Sequence, residues 1–369
     1  MWSFSAIDTF LTSKYTYFLK YIKHAKPDND DSIYGIMGGL IHDTIESFYK
    51  KEISYNELLE KFEDFWLVNV ETLDIRFDRT DREKNEKIKS KYYECLKHFM
   101  QHHNVIDKPM ITEQFILVKI GKSYFQGYID SCIKDENGCF TIIDWKTSSI
   151  YKNQKLKEKS KQLLLYAYGL YQKGKLPIDK IKCCFNFLKY VNVDVQQING
   201  KIKTRQIERN QIGKKLQNNA KTWLKKLGYN EEEISGYLID MELNNTIENL
   251  PDNVKEKFTI SDCYVYVDVT EQAFNELEKE LISVIIDIED REIEYNLCLN
   301  DFVFWDDFDD IKNQEYYYYN LCDYSPNLNK PFKEYLEQLE KKKNGIDLLD
   351  IGSQSNTVDD TLSWIEDLF

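Results

Sequence analysis

Apolar residues gather in three runs in the first half of the chain, 111–120, 123–134 and 139–147, each rich in Ile, Val, Phe and Tyr. Gly121-Lys122 and Asp135-Glu136-Asn137-Gly138 separate them, and such residues punctuate strands, so the pattern predicts three consecutive antiparallel strands. With a side-chain period of two, Asp144 and Lys146 share one face of the third strand, while Trp145 turns away and offers that side only its backbone carbonyl. Asp130 falls near the middle of the neighbouring strand, where cross-strand pairing can set its carboxylate beside Asp144.

Elsewhere the period is helical. From about Lys155 to Gln172, leucines and an alanine form an apolar face, and Gln162 and Tyr166, four apart, share one side of that helix. Upstream, Gly38 to Glu46 opens another helix with Ile41, Ile45 and Phe48 as its core stripe; His42 and Glu46 lie beside the stripe, again four apart. Residues 50–110 read as helices inserted before the sheet, with helical spacing at 56–62 and 91–99. A strand at 181–191 pairs with 200–208 across Asn199-Gly200, and a helix follows at about 212–227. The acidic segment 229–261 reads as an irregular peripheral insertion before a strand at 262–269 and a long helix at 271–290. There is no internal repeat. This order predicts an α/β fold, with residues 1–344 as one elaborated domain and 345–369 as a separate tail.

Two carboxylates held close repel unless a proton or cation sits between them, so Asp130 and Asp144 form either a costly pair or a site for a hard divalent ion, Mg2+ or Mn2+. A neighbouring lysine can hold an attacking water or stabilise charge developing on a phosphate. Taken alone, the D-x-K triplet also fits an ordinary Lys–Asp pair on a solvated strand face. His42 likewise fits either a core histidine or a ligand suited to manganese.

The ordered series G-x-x-x-H-x-x-x-E (Gly38, His42, Glu46), G-x-x-D (Gly127, Asp130), D-x-K-T (Asp144, Lys146, Thr147) and Q-x-x-x-Y (Gln162, Tyr166) resembles the RecB-like branch of the PD-(D/E)XK nucleases. That branch includes RecB family exonucleases and CRISPR adaptation nucleases. Residues 3–10 resemble its first helix, and Glu113 stands in the first core strand where the branch often places an acid. The resemblance covers residues 1 to about 190 and implies a restriction-endonuclease-like core, a mixed central sheet flanked by helices. It implies metal binding by His42, Asp130, Asp144 and the Trp145 carbonyl, with Lys146 as the catalytic lysine and Glu46 supporting the site. Gln162 and Tyr166 would contact the substrate backbone. The implied activity is a metal-dependent DNA exonuclease of replication, recombination or repair. Alternatives are a structure-specific endonuclease and a non-catalytic DNA-binding scaffold.

Many members of that branch hold an iron–sulfur cluster on one N-terminal and three C-terminal cysteines. Here Leu11 to Tyr17 has no cysteine, and Tyr316 to Pro326 keeps only Cys322. A four-thiolate cluster needs four ligands, so none is expected; aromatic packing by Tyr316 to Tyr319 would replace it. The 8 cysteines are scattered without a C-x-x-C pair and read as reduced thiols of a cytoplasmic protein. His98 and His102, four apart without further ligands, read as surface residues. No run is long enough to span a bilayer. Few prolines with abundant Lys, Asn, Ile and Tyr suggest an AT-rich genome, such as a phage or a low-GC bacterium.

The net charge of -14 runs against nucleic-acid binding until its distribution is read. Residues 146–226 hold 20 Lys plus Arg against 4 Asp plus Glu. This block begins at the D-x-K lysine and includes Lys152, Lys155, Lys157 and Lys161; it is either a solvated basic face or a nucleic-acid track. The last 25 residues contain six acids and no bases and end in Leu362-Ser-Trp-Ile-Glu-Asp-Leu-Phe369. That end either folds back on its own domain or docks on a partner, resembling the tails that bind sliding clamps or other replisome proteins.

Overall fold

The structure, a computed structural model, describes residues 1–174 and 176–347. Its strands are β1 (Trp2–Ser3), β2 (Met110–Ile120), β3 (Ser123–Lys134), β4 (Phe140–Lys146), β5 (Ile181–Gln196), β6 (Ile202–Glu208) and β7 (Phe258–Val267). They form one mixed sheet. β2, β3 and β4 are consecutive and antiparallel, as their turn residues predict. Gly138 closes the second turn at φ +74°, a conformation that glycine adopts without strain.

β4 and β5 are parallel, because the helices Asn153–Lys159 and Lys161–Gly174 carry the chain back between them. β5 is the hub of the sheet. Its first half pairs with β4 and β7, its second half with β6 and β7, and the ladder to β7 is irregular between Asn186 and Val191.

Alternation along β4 and β5 feeds two apolar layers. Ile142, Cys183, Phe185 and Phe187 pack with Leu163 and Ala167 of the helix Lys161–Gly174 and with Leu277 and Leu281 of the helix Glu271–Cys298. Ile143, Trp145, Cys184 and Leu188 pack on the other layer, with Ile41 and Ile45 of the helix Ile33–Tyr49 and Leu96 and Phe99 of the helix Arg82–His102. The result is the mixed sheet flanked by helices that was expected. Each buried Leu, Ile or Phe contributes roughly 1.5–3 kcal/mol through removal from water, so these layers fix the sheet that carries the site.

Several elements differ from the sequence reading. The segment 229–261 is not irregular: Asn230 and Glu233 form a reciprocal cap on a helix Glu231–Asn244, and a short helix Asp252–Lys255 leads into β7. That helix buries only Ile234 and Met241, which left little periodicity to read. Those residues join Leu216, Trp223 and Val193 in a further apolar cluster over the second half of β5. β5 extends to Gln196 and the long helix to Cys298. His98 is not on the open surface; it lies half-buried 3.4 Å from the Arg209 guanidinium, and burial pushes its pKa down to about 3.

Residues 11–17 and 316–322 meet. The Thr16 hydroxyl lies 3.6 Å from Cys322 Sγ, and Ser13 and Tyr318 both donate to Asp306, at 2.7 and 2.9 Å. Tyr318 is buried against Phe332, while the Tyr316 hydroxyl bonds to Tyr34. The helix Lys330–Asp347 runs across the expected boundary at 344. Leu362–Phe369, expected either to dock on a partner or to fold back, lies outside the described residues. Among the described residues no helix is long and apolar enough to cross a membrane.

Candidate active site

His42 is held by the buried stripe of Ile41 and Ile45 on either side of it, and its Nε2 lies 2.9 Å from the backbone carbonyl of Trp145. A carbonyl only accepts, which assigns the proton to Nε2 and leaves the lone pair on Nδ1. Nδ1 in turn stands 3.4 Å from Asp130 Oδ2.

The β3–β4 ladder ends at Ser131 opposite Ile143, and one further step in the same register sets Asp130 across from Asp144. His42, Asp130 and Asp144 thus each present a ligand atom, all within 4.8 Å of one another. Asp144 is 5% exposed; its Oδ2 takes the Lys146 ammonium at 2.9 Å, and its Oδ1 is buried without a hydrogen-bond partner. A buried carboxylate oxygen left unpaired costs stability, and a hard cation satisfies it. An imidazole nitrogen with two carboxylates suits Mg2+ or, better, Mn2+.

The electrostatics agree with that occupant. Burial, reinforced by the charge of Asp144, pushes the Asp130 pKa up to about 7. Burial also lowers His42 below its ordinary value, keeping a neutral imidazole at neutral pH. For Lys146 burial works against the charge, yet the Asp144 carboxylate overrides it and holds the pKa above the usual lysine range.

Opposite Asp130 lies an irregularity that strand alternation does not foresee. Glu113 of β2 adopts φ +50°, a strained conformation for this residue, between the pairs Thr112–Ser131 and Gln114–Ile129. Across that point β3 changes layers: Ile129 belongs to one apolar cluster and Ile133 to the other. Glu113 itself is exposed, and its charge acts on both His42 and Asp130.

Tyr166 is buried and donates no charge to the site, but its pKa is raised by burial, and Asp130, Asp144 and Lys146 all act on it. The Gln162 amide reaches its hydroxyl at 2.9 Å. Glu46 lies one turn beyond His42, yet it pairs with Lys50 and accepts from Thr112 at 3.3 Å rather than joining the carboxylate cluster. The four lysines divide. Lys152 and Lys155 line a groove of about 1350 Å3, whereas Lys157 pairs with Glu276 at 3.2 Å and Lys161 with Glu280. Sequence reasoning missed Lys91 of the same groove, because it lies far away in sequence on the inserted helix.

Residues 1–296 match the PD-(D/E)XK nuclease superfamily. The chain belongs to that superfamily. Membership in the PD-(D/E)XK nucleases makes nucleic acid the substrate class and a divalent metal the fitting cofactor, in accord with the His42–Asp130–Asp144 cluster. No curated protein matches the chain in sequence.

Proposed function

We propose that the protein is a Mg2+- or Mn2+-dependent DNA exonuclease of the RecB-like branch. The observation that carries this reading is the convergence of Nδ1 of His42, the carboxylates of Asp130 and Asp144, and the ammonium of Lys146 on one point of the sheet. His42, Asp130 and Asp144 would hold the metal, and the Trp145 carbonyl both orients His42 and has a second lone pair to offer. When bound, the metal supplies positive charge to the phosphate and acidifies a water.

The chain's own groups do the rest. Lys146, charged throughout the neutral range, orients the attacking water and stabilises charge on the phosphoryl oxygens. Asp144 holds that ammonium in place at 2.9 Å. Tyr166 and Gln162 form a hydrogen-bonded pair suited to a non-bridging phosphate oxygen. Glu46 acts at one remove, through Thr112 beside Glu113.

The test is degradation of end-labelled DNA with Mg2+ or Mn2+ by wild type, Asp130→Ala and Lys146→Ala, on linear and circular strands. Loss of about 10²-fold or more in both variants is expected, as for removal of a group that stabilises developing charge. Circular strands should survive. Cleavage of circles would instead make the enzyme an endonuclease, and equal activity in all three proteins would sink the catalytic assignment.

A further inference from the structure

The hairpin of β2 and β3 turns one face to solvent. Ile116 and Val118 press against Gly169 of the helix Lys161–Gly174, and Gly127 faces Tyr166 of the same helix. Alternation therefore sends Phe115, Leu117 and Lys119 of β2, with Tyr124, Gln126 and Tyr128 of β3, to the opposite side, and all six are exposed. The ladder pairs Phe115 with Tyr128, Leu117 with Gln126 and Lys119 with Tyr124. The rings of Phe115 and Tyr128, 43% and 54% exposed, meet edge to face with centres 5.5 Å apart. Their mutual contact holds both in place, so little side-chain freedom is lost when a ligand covers them.

Charge and position together identify what covers this face. Residues 114–128 contain two lysines, Lys119 and Lys122, and no Asp or Glu, in a chain of net charge -14. Neither lysine is in an ion pair among the described residues. Exposed rings beside uncompensated cations suit a polyanion that also carries flat apolar groups, which is the chemistry of a polynucleotide. Tyr128 also stands two residues before Asp130, roughly 7 Å along the same β-strand. It points to the layer of the helix Ile33–Tyr49, from which His42 reaches Asp130. The side of that helix leading to His42 is open: a Cβ at Gly35 or Gly39 would meet no atom within 4 Å.

We propose that Phe115 and Tyr128 form a stacking platform for a substrate base beside the phosphate held at the metal site, with Lys119 and Lys122 taking the adjoining phosphates. The inference rests on the nuclease reading above and adds the residues that position the nucleotide for cleavage. Stacking needs a base with a free face. Within a duplex the neighbouring pairs cover both faces, so the platform takes an unpaired base or the outer face of the last pair.

The test measures binding of two fluorescein-labelled single-stranded oligonucleotides by anisotropy, in EDTA so that neither is cut. One has normal bases; the other has tetrahydrofuran abasic sites throughout and keeps every phosphate. Wild type should bind the normal oligonucleotide roughly tenfold tighter. Phe115→Ala and Tyr128→Ala should each lose most of that preference with the salt slope unchanged, and Tyr128→Phe should keep it. Lys119→Gln should keep the preference and lower the salt slope by about 1. Tyr266→Ala, at a 62% exposed tyrosine on β7, is the unchanged control, and thermal melting confirms folding. Full base preference in both alanine variants, or none in wild type, overturns the proposal. So does a wild-type dimer in sedimentation that Tyr128→Ala dissociates, because the face is then a contact between copies. Hydrolysis of bis(p-nitrophenyl) phosphate by wild type with Mn2+, a substrate without a base, reads the metal site separately. If hydrolysis is absent while base preference behaves as stated, the nuclease reading fails and the platform stands.

Discussion

The ring of Tyr166 occupies the space that a side chain at Gly127 would need: a Cβ there would stand 2.8 Å from Tyr166 Cε1. The glycine three residues before Asp130 is thus a matter of room rather than of backbone conformation. Gly127→Ala should push the phenol away from its place near Asp130 and Gln162. We expect reduced DNA cleavage at a modest stability cost of about 1–3 kcal/mol, the usual range for overpacking. Cleavage rates of Gly127→Ala and Tyr166→Phe, with thermal melts of both, check it; full activity in Gly127→Ala would show that the position of Tyr166 is unused.

Asp130, raised to about 7 by burial and by Asp144, makes the response to metal depend on pH. In the metal-free protein the native state keeps a proton on this carboxyl that the unfolded chain, titrating near 3.9, has already released. Stability therefore falls as pH rises from about 4 to 7 through this group. Metal requires the carboxylate, so Mn2+ should raise the melting temperature more at pH 8 than at pH 5.5. Asp130→Asn should lose most of that difference. Scanning fluorimetry across pH, with and without Mn2+, gives the answer.

Lys189 is fully buried, lacks a hydrogen-bond partner, and places its ammonium 3.6 Å from the centre of the Tyr92 ring. Burial lowers its pKa to about 7. Between that value and the unfolded one, near 10.4, the unfolded chain holds a proton that the native state lacks, so stability rises with pH through this window. Lys189→Met keeps the apolar contacts and removes the cost. We expect it to stabilise the protein at pH 7, with the advantage vanishing towards pH 10; urea titrations at both pH values measure it.

Arg209 and Asp262 form a buried ion pair at 2.5 Å, 1% and 3% exposed. The guanidinium also donates to the Leu188 carbonyl at 2.8 Å, and Asp262 accepts from the Asn104 backbone at 2.9 Å. The pair ties β5, β7 and the end of the helix Arg82–His102 together. Asp262→Ala strands a buried cation and should cost about 3–5 kcal/mol. Replacing both partners, as Arg209→Met with Asp262→Leu, should recover much of the loss. Denaturant melts of the single and double variants decide whether the pair is coupled in this way.

Much of the sheet was legible because its strands are apolar and several are divided by glycine-bearing turns. The D-x-K face was legible too, since a period of two leaves no other way to place Asp144 and Lys146. The helix Glu231–Asn244 was not: its stability comes from a capping box and from packing on a neighbouring helix, and neither produces an apolar period. Glu113 gave no local sign of φ +50°, because strain of that kind is imposed by the pairing around it.

By itself, then, the sequence determined the antiparallel β2–β3–β4 core, the common face of Asp144 and Lys146, and the motif series of a PD-(D/E)XK nuclease. These follow from local periodicity and from residue types at fixed spacing. Only the tertiary structure decided that His42 turns Nδ1 towards Asp130 while Nε2 is taken by Trp145, and that Glu46 looks towards Lys50 and Thr112. It also decided which lysines of the basic block share a groove with Lys91 and which are drawn off by Glu276 and Glu280. Charge can be counted along a chain, but the field at a site depends on distance in space, and folding alone sets that distance.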